Sequence, residues 1–375
     1  MTNKIRLLLC IFATLGLVSC GQKGNEILIG EYGSLTGNDA TFGTSTRDGI
    51  QMAVDEVNKA GGVLGKQLKV LVEDDQSKPE EAVTVVTKLI SSDRVIAVLG
   101  EVASTRSKAA APVAQQNMIP MISPSSTNPG VTQIGDYIFR VCFIDPFQGL
   151  VMAKFATNTL KLKNVAILRD VKNDYSIGLA DVFINEFQKM GGKIIADQSY
   201  ASGDVDFSAQ LTAIKAKNPQ AIYIPGYYTE VGLIAGQTKK LGITATLLGG
   251  DGWDSPKLTE IGGEALDGSY FSNHYSVDDP SPAIQKFVGE YKARFGHAPD
   301  GLAALGYDAA HILAESLRRA GTTEGPKLRD AIAQTKDYAG VTGKITIDKD
   351  RNTVKPAVVL QVKDRKLVYI ETITP

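Results

Sequence analysis

The chain has 375 residues, more than one ordinary hydrophobic core accommodates and enough for two lobes of common domain size. Its 40 basic and 41 acidic side chains are interspersed and leave a net charge of -1, so it lacks the electrostatic footprint of a nucleic-acid binder or of a protein drawn to anionic lipid. The 37 glycines are scattered among apolar runs, which marks many short turns between regular elements and excludes a low-complexity chain.

The first twenty residues are of a different kind. Lys4 and Arg6 make a basic start, and 7–18 is an apolar run too short to span a bilayer comfortably, the pattern of an export signal. It ends in Leu17-Val18-Ser19-Cys20, which resembles a bacterial lipobox, where cleavage falls just ahead of a cysteine whose thiol carries lipid. This reading predicts a signal peptide over 1–19, lipidation of Cys20 and a polar tether over 20–25. Of the three cysteines only Cys142 then remains, so no intramolecular disulfide is expected. Cys142 lies in the apolar run 138–144, the setting of a buried structural thiol.

From Glu26 onward, short β-branched runs alternate with stretches of helical period, which predicts an α/β fold with parallel sheets and crossover helices. In the first third the pattern predicts strands over 27–31, 69–73, 95–99 and 119–122. The helices between them fall at 46–60, closed by Gly61-Gly62, at 79–91 and at 104–116. That is one doubly wound lobe. After Asp145-Pro146 the pattern restarts, with a helix to about 160, a strand over 165–169, a helix over 175–190 and strands over 193–198, 221–225 and 246–249. Helical periods follow at 282–295, 302–320 and 327–334. The last predicted element is a hairpin of 344–347 with 357–362, joined by 348–355.

Several motifs in order carry a resemblance. They are Gly33-Ser34-Leu35-Thr36-Gly37, the stretch AVDEVNKAGGVLGKQL from Ala53, Glu73-Asp74-Asp75 and Ile122-Ser123-Pro124-Ser125-Ser126-Thr127. The second lobe adds Asp174-Tyr175-Ser176-Ile177-Gly178, Gly226-Tyr227 and Gly250-Asp251-Gly252. Together they are similar to the type I periplasmic binding proteins of the leucine/isoleucine/valine family, over essentially the whole mature chain. The resemblance implies two doubly wound parallel-sheet lobes joined by a three-strand hinge, with ligand held between them as they close. The crossings are placed near 143–145, 273–275 and 338–342. The N-terminal lobe is then 26–144 with 275–340, and the C-terminal lobe 145–274 with 341–375.

A free amino acid presents a carboxylate and an ammonium on one carbon, so its receptor needs anion donors beside cation acceptors and a shaped pocket. Ser104-Thr105 opens a helix after a strand, offering hydroxyls and free backbone N–H groups at a positive helix end, and the carboxylate is assigned there. Ser125, Ser126 and Thr127 form a similar loop. By position in the family's pattern, the carbonyl of Ser125 takes the ammonium and Thr127 bridges both charges. Helix capping alone accounts for such residues as well. Asp251, between two glycines after a strand, is the expected partner of the ammonium, although a turn role is open to it and the family's amino-acid binders often carry a longer acid there.

Tyr175 and Tyr227 match aromatic positions that close over the ligand in the family, and Phe42 and Val102 match pocket positions of the first lobe. Trp253, two residues past Asp251, reads equally as pocket wall or as packing, and the side-chain preference stays open between aliphatic and aromatic. Some relatives staple the first lobe by a disulfide between regions that here read Gln76-Ser77-Lys78 and Val102-Ala103-Ser104, with no cysteine in either.

Nothing in the sequence supplies an enzyme. It has no G-x-S-x-G elbow, H-E-x-x-H pair, Cys/His cluster or Walker lysine, and His274, His297 and His311 fall on late segments away from the strand-end loops. No cofactor or metal is expected. The expected partners are a small amino acid and the permease subunits of an ABC importer, with the membrane reached only through the lipid and the protein itself a monomer. A sensor, or a receptor for amides or urea-like molecules, is the alternative the same fold serves.

Overall fold

The computed structural model describes residues 25–375, so the signal peptide, Cys20 and nearly all of the tether lie outside the described residues. The N-terminal lobe starts with β1 (Glu26–Gly33), α1 (Ala40–Lys59), β2 (Gln67–Asp74) and α2 (Pro79–Ser91). It continues through β3 (Val98–Leu99), α3 (Ser104–Gln116), β4 (Met121–Ser123) and β5 (Ile138–Arg140). The five strands form a parallel sheet in the order β2-β1-β3-β4-β5. One core lies between this sheet and α1, whose stripe Ile50, Ala53, Val54 and Val57 repeats at helical spacing and is buried.

The C-terminal lobe begins with α4 (Asp145–Lys154), which runs on as a π-helical turn over Phe155–Thr159. Then come β6 (Asn164–Asp170), α5 (Asp174–Lys189), β7 (Lys193–Tyr200), α6 (Ser208–Lys215), β8 (Ala221–Tyr223) and α7 (Tyr228–Lys240). β9 (Thr246–Gly249), a 3₁₀ turn at Asp251–Trp253, α8 (Pro256–Gly262) and β10 (Tyr270–Asn273) complete this passage. The chain then returns to the first lobe as α9 (Pro282–Phe295), α10 (Gly301–Ala320), α11 (Gly325–Ala333) and the small ladder β11 (Tyr338–Gly340) with β12 (Gly343–Ile345). Finally β13 (Ala357–Lys363) and β14 (Lys366–Ile373) add two antiparallel strands to the second sheet, whose order is β14-β13-β10-β9-β8-β6-β7.

α10 packs along α1 with its backbone in close approach at Gly49. A Cβ on Gly49 would stand 2.0 Å from the Ala303 carbonyl oxygen, so only glycine fits. The helix start also differs from expectation, since α1 begins at Ala40 rather than near 46. Burial of Phe42, Gly43 and Ser45 in the fold outweighs the weak helix propensity of that Gly- and Thr-rich turn.

Two expectations at the C-terminus are corrected. The predicted hairpin does not form: β12 pairs with β11, and β13 pairs with β14 through Asp364 and Arg365, both at positive φ as a two-residue turn requires. The third crossing is not near 338–342, because the chain stays with the first lobe until Lys355. Ile345 and Ile347 are buried in the first lobe's core, the Ile347 N–H donates to the Thr335 carbonyl, and the Arg140 N–H donates to that of Arg351. The boundary of the two lobes in this segment therefore falls just before β13.

The lobes are closed on one another. Phe42, Val102 and Leu302 of the first lobe share a buried apolar cluster with Tyr228 and Trp253 of the second. Hydrogen bonds seal the seam: the hydroxyls of Thr41 and Ser255 are 2.9 Å apart, Thr229 Oγ1 donates to the Asn38 carbonyl at 2.7 Å, and the Asp174 N–H donates to Thr105 Oγ1 at 3.0 Å.

Candidate ligand-binding site

A narrow cavity lies between the lobes where strand ends from both sheets face each other, the place where open α/β sheets bind ligands. The first lobe contributes Phe42, Val102, Ser104, Ser125, Thr127 and Leu302; the second contributes Tyr175, Tyr227, Asp251 and Gly252.

One wall is electropositive. α3 starts at Ser104 after Ala103, which has no capping side chain, so the first N–H groups of this helix face the cleft uncapped. Ser104 Oγ accepts the N–H of Asn128 at 3.2 Å, which leaves its own hydrogen available to donate.

The opposite wall is electronegative. Asp251 is buried, with Oδ2 at 2.9 Å from His274 Nε2, while Oδ1 is buried without a hydrogen-bond partner. Its own N–H donates to Gln148 Oε1 at 2.9 Å, which ties the turn to α4. Burial pushes the His274 imidazole down to about 4, so it is neutral at physiological pH. A carboxylate only accepts, so the imidazole hydrogen sits on Nε2. Thr127 Oγ1 is likewise buried without a partner, as are both carboxyl oxygens of Asp145, whose pKa burial pushes up to about 8 with the Asp251 charge adding to the shift.

The third side is apolar. Tyr175 and Tyr227 stack at 5.4 Å, and Phe42 meets Tyr227 edge-on at 5.2 Å. Tyr175 Oη accepts the Gly252 N–H at 3.2 Å, which holds the ring against the turn that carries Asp251.

Three residues expected at the site stand elsewhere. Ser126 turns away beneath α3, where its hydroxyl meets Ser107 Oγ at 2.7 Å and the carbonyls of Glu101 and Val102 at 2.9 Å. Thr105 lies on the lobe seam. Trp253 is wholly buried, its Nε1 donating to the Ile224 carbonyl at 2.9 Å and its ring lying over Gly249, so it is core packing. Conversely His274, set apart from the strand-end loops on sequence position, follows β10 directly and touches Asp251. Leu302 also lines the cavity, from the first turn of α10, and no local motif marks it.

Outside this cavity, a polar chamber of about 480 Å³ at the mouth of the cleft is lined by Asp39 and Arg106 from one lobe and Asp170 and Glu230 from the other. Arg106 is buried and pairs with Asp39 Oδ2 at 2.8 Å and Glu101 Oε2 at 3.0 Å. Among the described residues, no group of three or more His, Cys, Asp or Glu is arranged to hold a metal ion, and no helix is long and apolar enough to cross a membrane.

A family model described as periplasmic binding protein matches residues 26–366. The chain belongs to the periplasmic binding proteins. It is 31% identical over 350 residues to a leucine-, isoleucine-, valine-, threonine- and alanine-binding protein of Pseudomonas aeruginosa, covering 93% of this chain and 92% of that one. Among solved structures, a leucine-binding protein of Thermotoga maritima shares 42% identity and a TM-score of 0.90, covering 93% of this chain and 99% of its own. A branched-chain amino acid transporter substrate-binding protein of Streptococcus pneumoniae, solved with isoleucine, shares 36% identity and a TM-score of 0.89, covering 93% and 100%. Members of this family are solute-binding components of transporters, and this periplasmic binding protein has their two-lobed α/β fold.

Proposed function

We propose that the protein is the extracytoplasmic solute-binding component of an ABC importer and that it captures a free α-amino acid with an aliphatic side chain. The observation that carries this reading is the opposition of charges in one cavity: the uncapped start of α3 faces a buried Asp251 whose Oδ1 has no partner. A zwitterion satisfies both walls at once, whereas a neutral amide leaves the buried carboxylate uncompensated, which is costly in a desolvated site. Ser104 and Thr127 are assigned to the carboxylate and Ser125, Thr127 and Asp251 to the ammonium, with Phe42, Val102, Leu302, Tyr175 and Tyr227 around the side chain. The side-chain end of the site is walled by Phe42, Val102, Leu302 and the rings of Tyr175 and Tyr227 with no charged group among them, which suits an aliphatic side chain such as that of leucine, isoleucine or valine. The leucine- and isoleucine-named relatives support the same choice.

The test is a thermal-shift panel of the twenty amino acids with acetamide and urea, because a ligand selective for the folded state raises its midpoint. The branched aliphatic amino acids are expected to raise it most, and a rise confined to the amides would overturn the reading. Lipid anchoring at Cys20 and a monomeric state complete the proposal. Cys20→Ala is expected to abolish incorporation of labelled lipid in cells, and unaltered labelling would remove the anchor.

A further inference from the structure

The carboxylate of Asp251 is short, and it reaches the cavity with one oxygen only. Its other oxygen is taken by His274 Nε2 at 2.9 Å. His274 is fully buried, stands immediately after β10 where the chain leaves the second lobe, and has its ring stacked at 3.8 Å on Phe143. Phe143 precedes α4, where the chain enters that lobe. One line of contact therefore runs from Asp251 through His274 to Phe143, linking the negative wall to two of the three crossings.

We propose that His274 is a positioning residue for ligand capture: it fixes the carboxylate of Asp251 so that Oδ1 points at the ligand's ammonium, and it ties that charge to the hinge. This rests on the amino-acid reading above. A neutral donor suits the task, since it orients the acid without neutralising its charge as an arginine or lysine would. The His274 backbone is held as well, its N–H donating to Asn273 Oδ1 at 2.7 Å, and Asn273 Nδ2 donates to Asp254 Oδ2 at 2.8 Å. The same Asp254 oxygen accepts the N–H of Gly301 at 2.6 Å, at the start of the helix that carries Leu302. The hinge residue is thereby joined to both charged and apolar sides of the cavity.

The test is a calorimetric double-mutant cycle with leucine on wild type, Asp251→Asn, His274→Ala and the pair, with His274→Gln as the conservative variant. His274→Ala is expected to weaken leucine by roughly tenfold, the effect of one hydrogen bond to a charged group. His274→Gln, which keeps an N–H donor, should recover most of that loss. In the Asp251→Asn background, His274→Ala should change affinity by less than about twofold, because the two residues act as one unit. An undiminished loss in that background would make His274 merely a structural hinge residue and overturn the proposal, as would wild-type affinity in His274→Ala.

If Asp251→Asn itself binds leucine normally, the amino-acid reading of that acid fails instead. A measurement on the unaltered protein guards against variants that do not fold. With ¹⁵N-histidine labelling, the resonance lost in His274→Gln should show a neutral ring protonated on Nε2 and should move on addition of leucine. A ring protonated on Nδ1, or one blind to leucine, contradicts the proposal.

Discussion

At the scale of single residues, Asp251 decides the chemistry. It is nearly fully buried, and its Oδ1 has no hydrogen-bond partner, which leaves that oxygen open to a cationic ligand. Asp251→Ala is expected to weaken leucine binding by about 2–5 kcal/mol, the usual cost of removing one partner of a desolvated charge pair; unchanged affinity in calorimetry would take Asp251 out of the site. The sequence marks such residues unevenly. Ser104, Thr127, Tyr227 and Asp251 each follow a strand end, so sheet topology alone brings them near one another. Which way a side chain turns within its loop is not written in spacing, and Ser126 and Trp253 turn inward to satisfy buried carbonyls. His274 carries no such mark, because its partner lies 23 residues away in sequence, with α8 and β10 between them.

At the scale of elements, the contact of α1 with α10 sets the position of the apolar wall, because Phe42 and Leu302 stand near the starts of these two helices. Gly49 allows that contact by bringing the backbones together. Gly49→Ala is expected to destabilise the protein by roughly 1–3 kcal/mol, the range for overpacking a tight interface. The urea midpoint measures this, and a stability equal to wild type would show that the helices separate freely. Elements with strong periodicity and clear ends, such as α2 and α9, are legible without a structure. The terminal strands are not, because alternation in β12 and β13 announces two strands without saying which neighbours they pair with. Asp364-Arg365 lacks the Asn-Gly or Gly signature that would have revealed the tight turn.

At the scale of the whole molecule, closure brings acids of both lobes into the chamber at the cleft mouth. Burial raises the pKa values of Asp39 and Asp170 and pushes Glu230 up to about 7, with Asp39 and Asp170 adding to the shift of Glu230. Arg106 opposes this at Asp39, and Lys78, Lys172 and Tyr227 also line the chamber. Opening the lobes separates Asp39 from Asp170 and Glu230 and is expected to lower these values toward the ordinary range, 4.5 for Glu230. A carboxyl with a higher pKa in the closed form makes that form bind more protons, so closure is favoured at low pH and loses stability as pH rises. For Glu230 the loss runs between 4.5 and about 7. Leucine affinity is accordingly expected to fall as pH rises through this window, and Glu230→Gln should flatten the profile; an affinity independent of pH in the wild type would contradict closure onto these acids. The two-lobed plan was legible from the restart of the α/β pattern after Asp145-Pro146. The third crossing was not, because the burial of Ile345 and Ile347 in the first lobe's core depends on packing that periodicity does not describe.

The central claim is that the cleft recognises both charges of an amino acid together with an aliphatic side chain. The most direct measurement is calorimetric titration of residues 25–375 with leucine, 4-methylpentanoate and leucinamide, which share the side chain and differ only in the charges they carry. Leucine should bind at one site per chain, with 4-methylpentanoate, which lacks the ammonium, and leucinamide, which lacks the carboxylate, each weaker by tenfold or more, on the order of one lost charge-assisted contact. Equal affinity for leucine and 4-methylpentanoate would show that Asp251 holds no ammonium and would contradict the account.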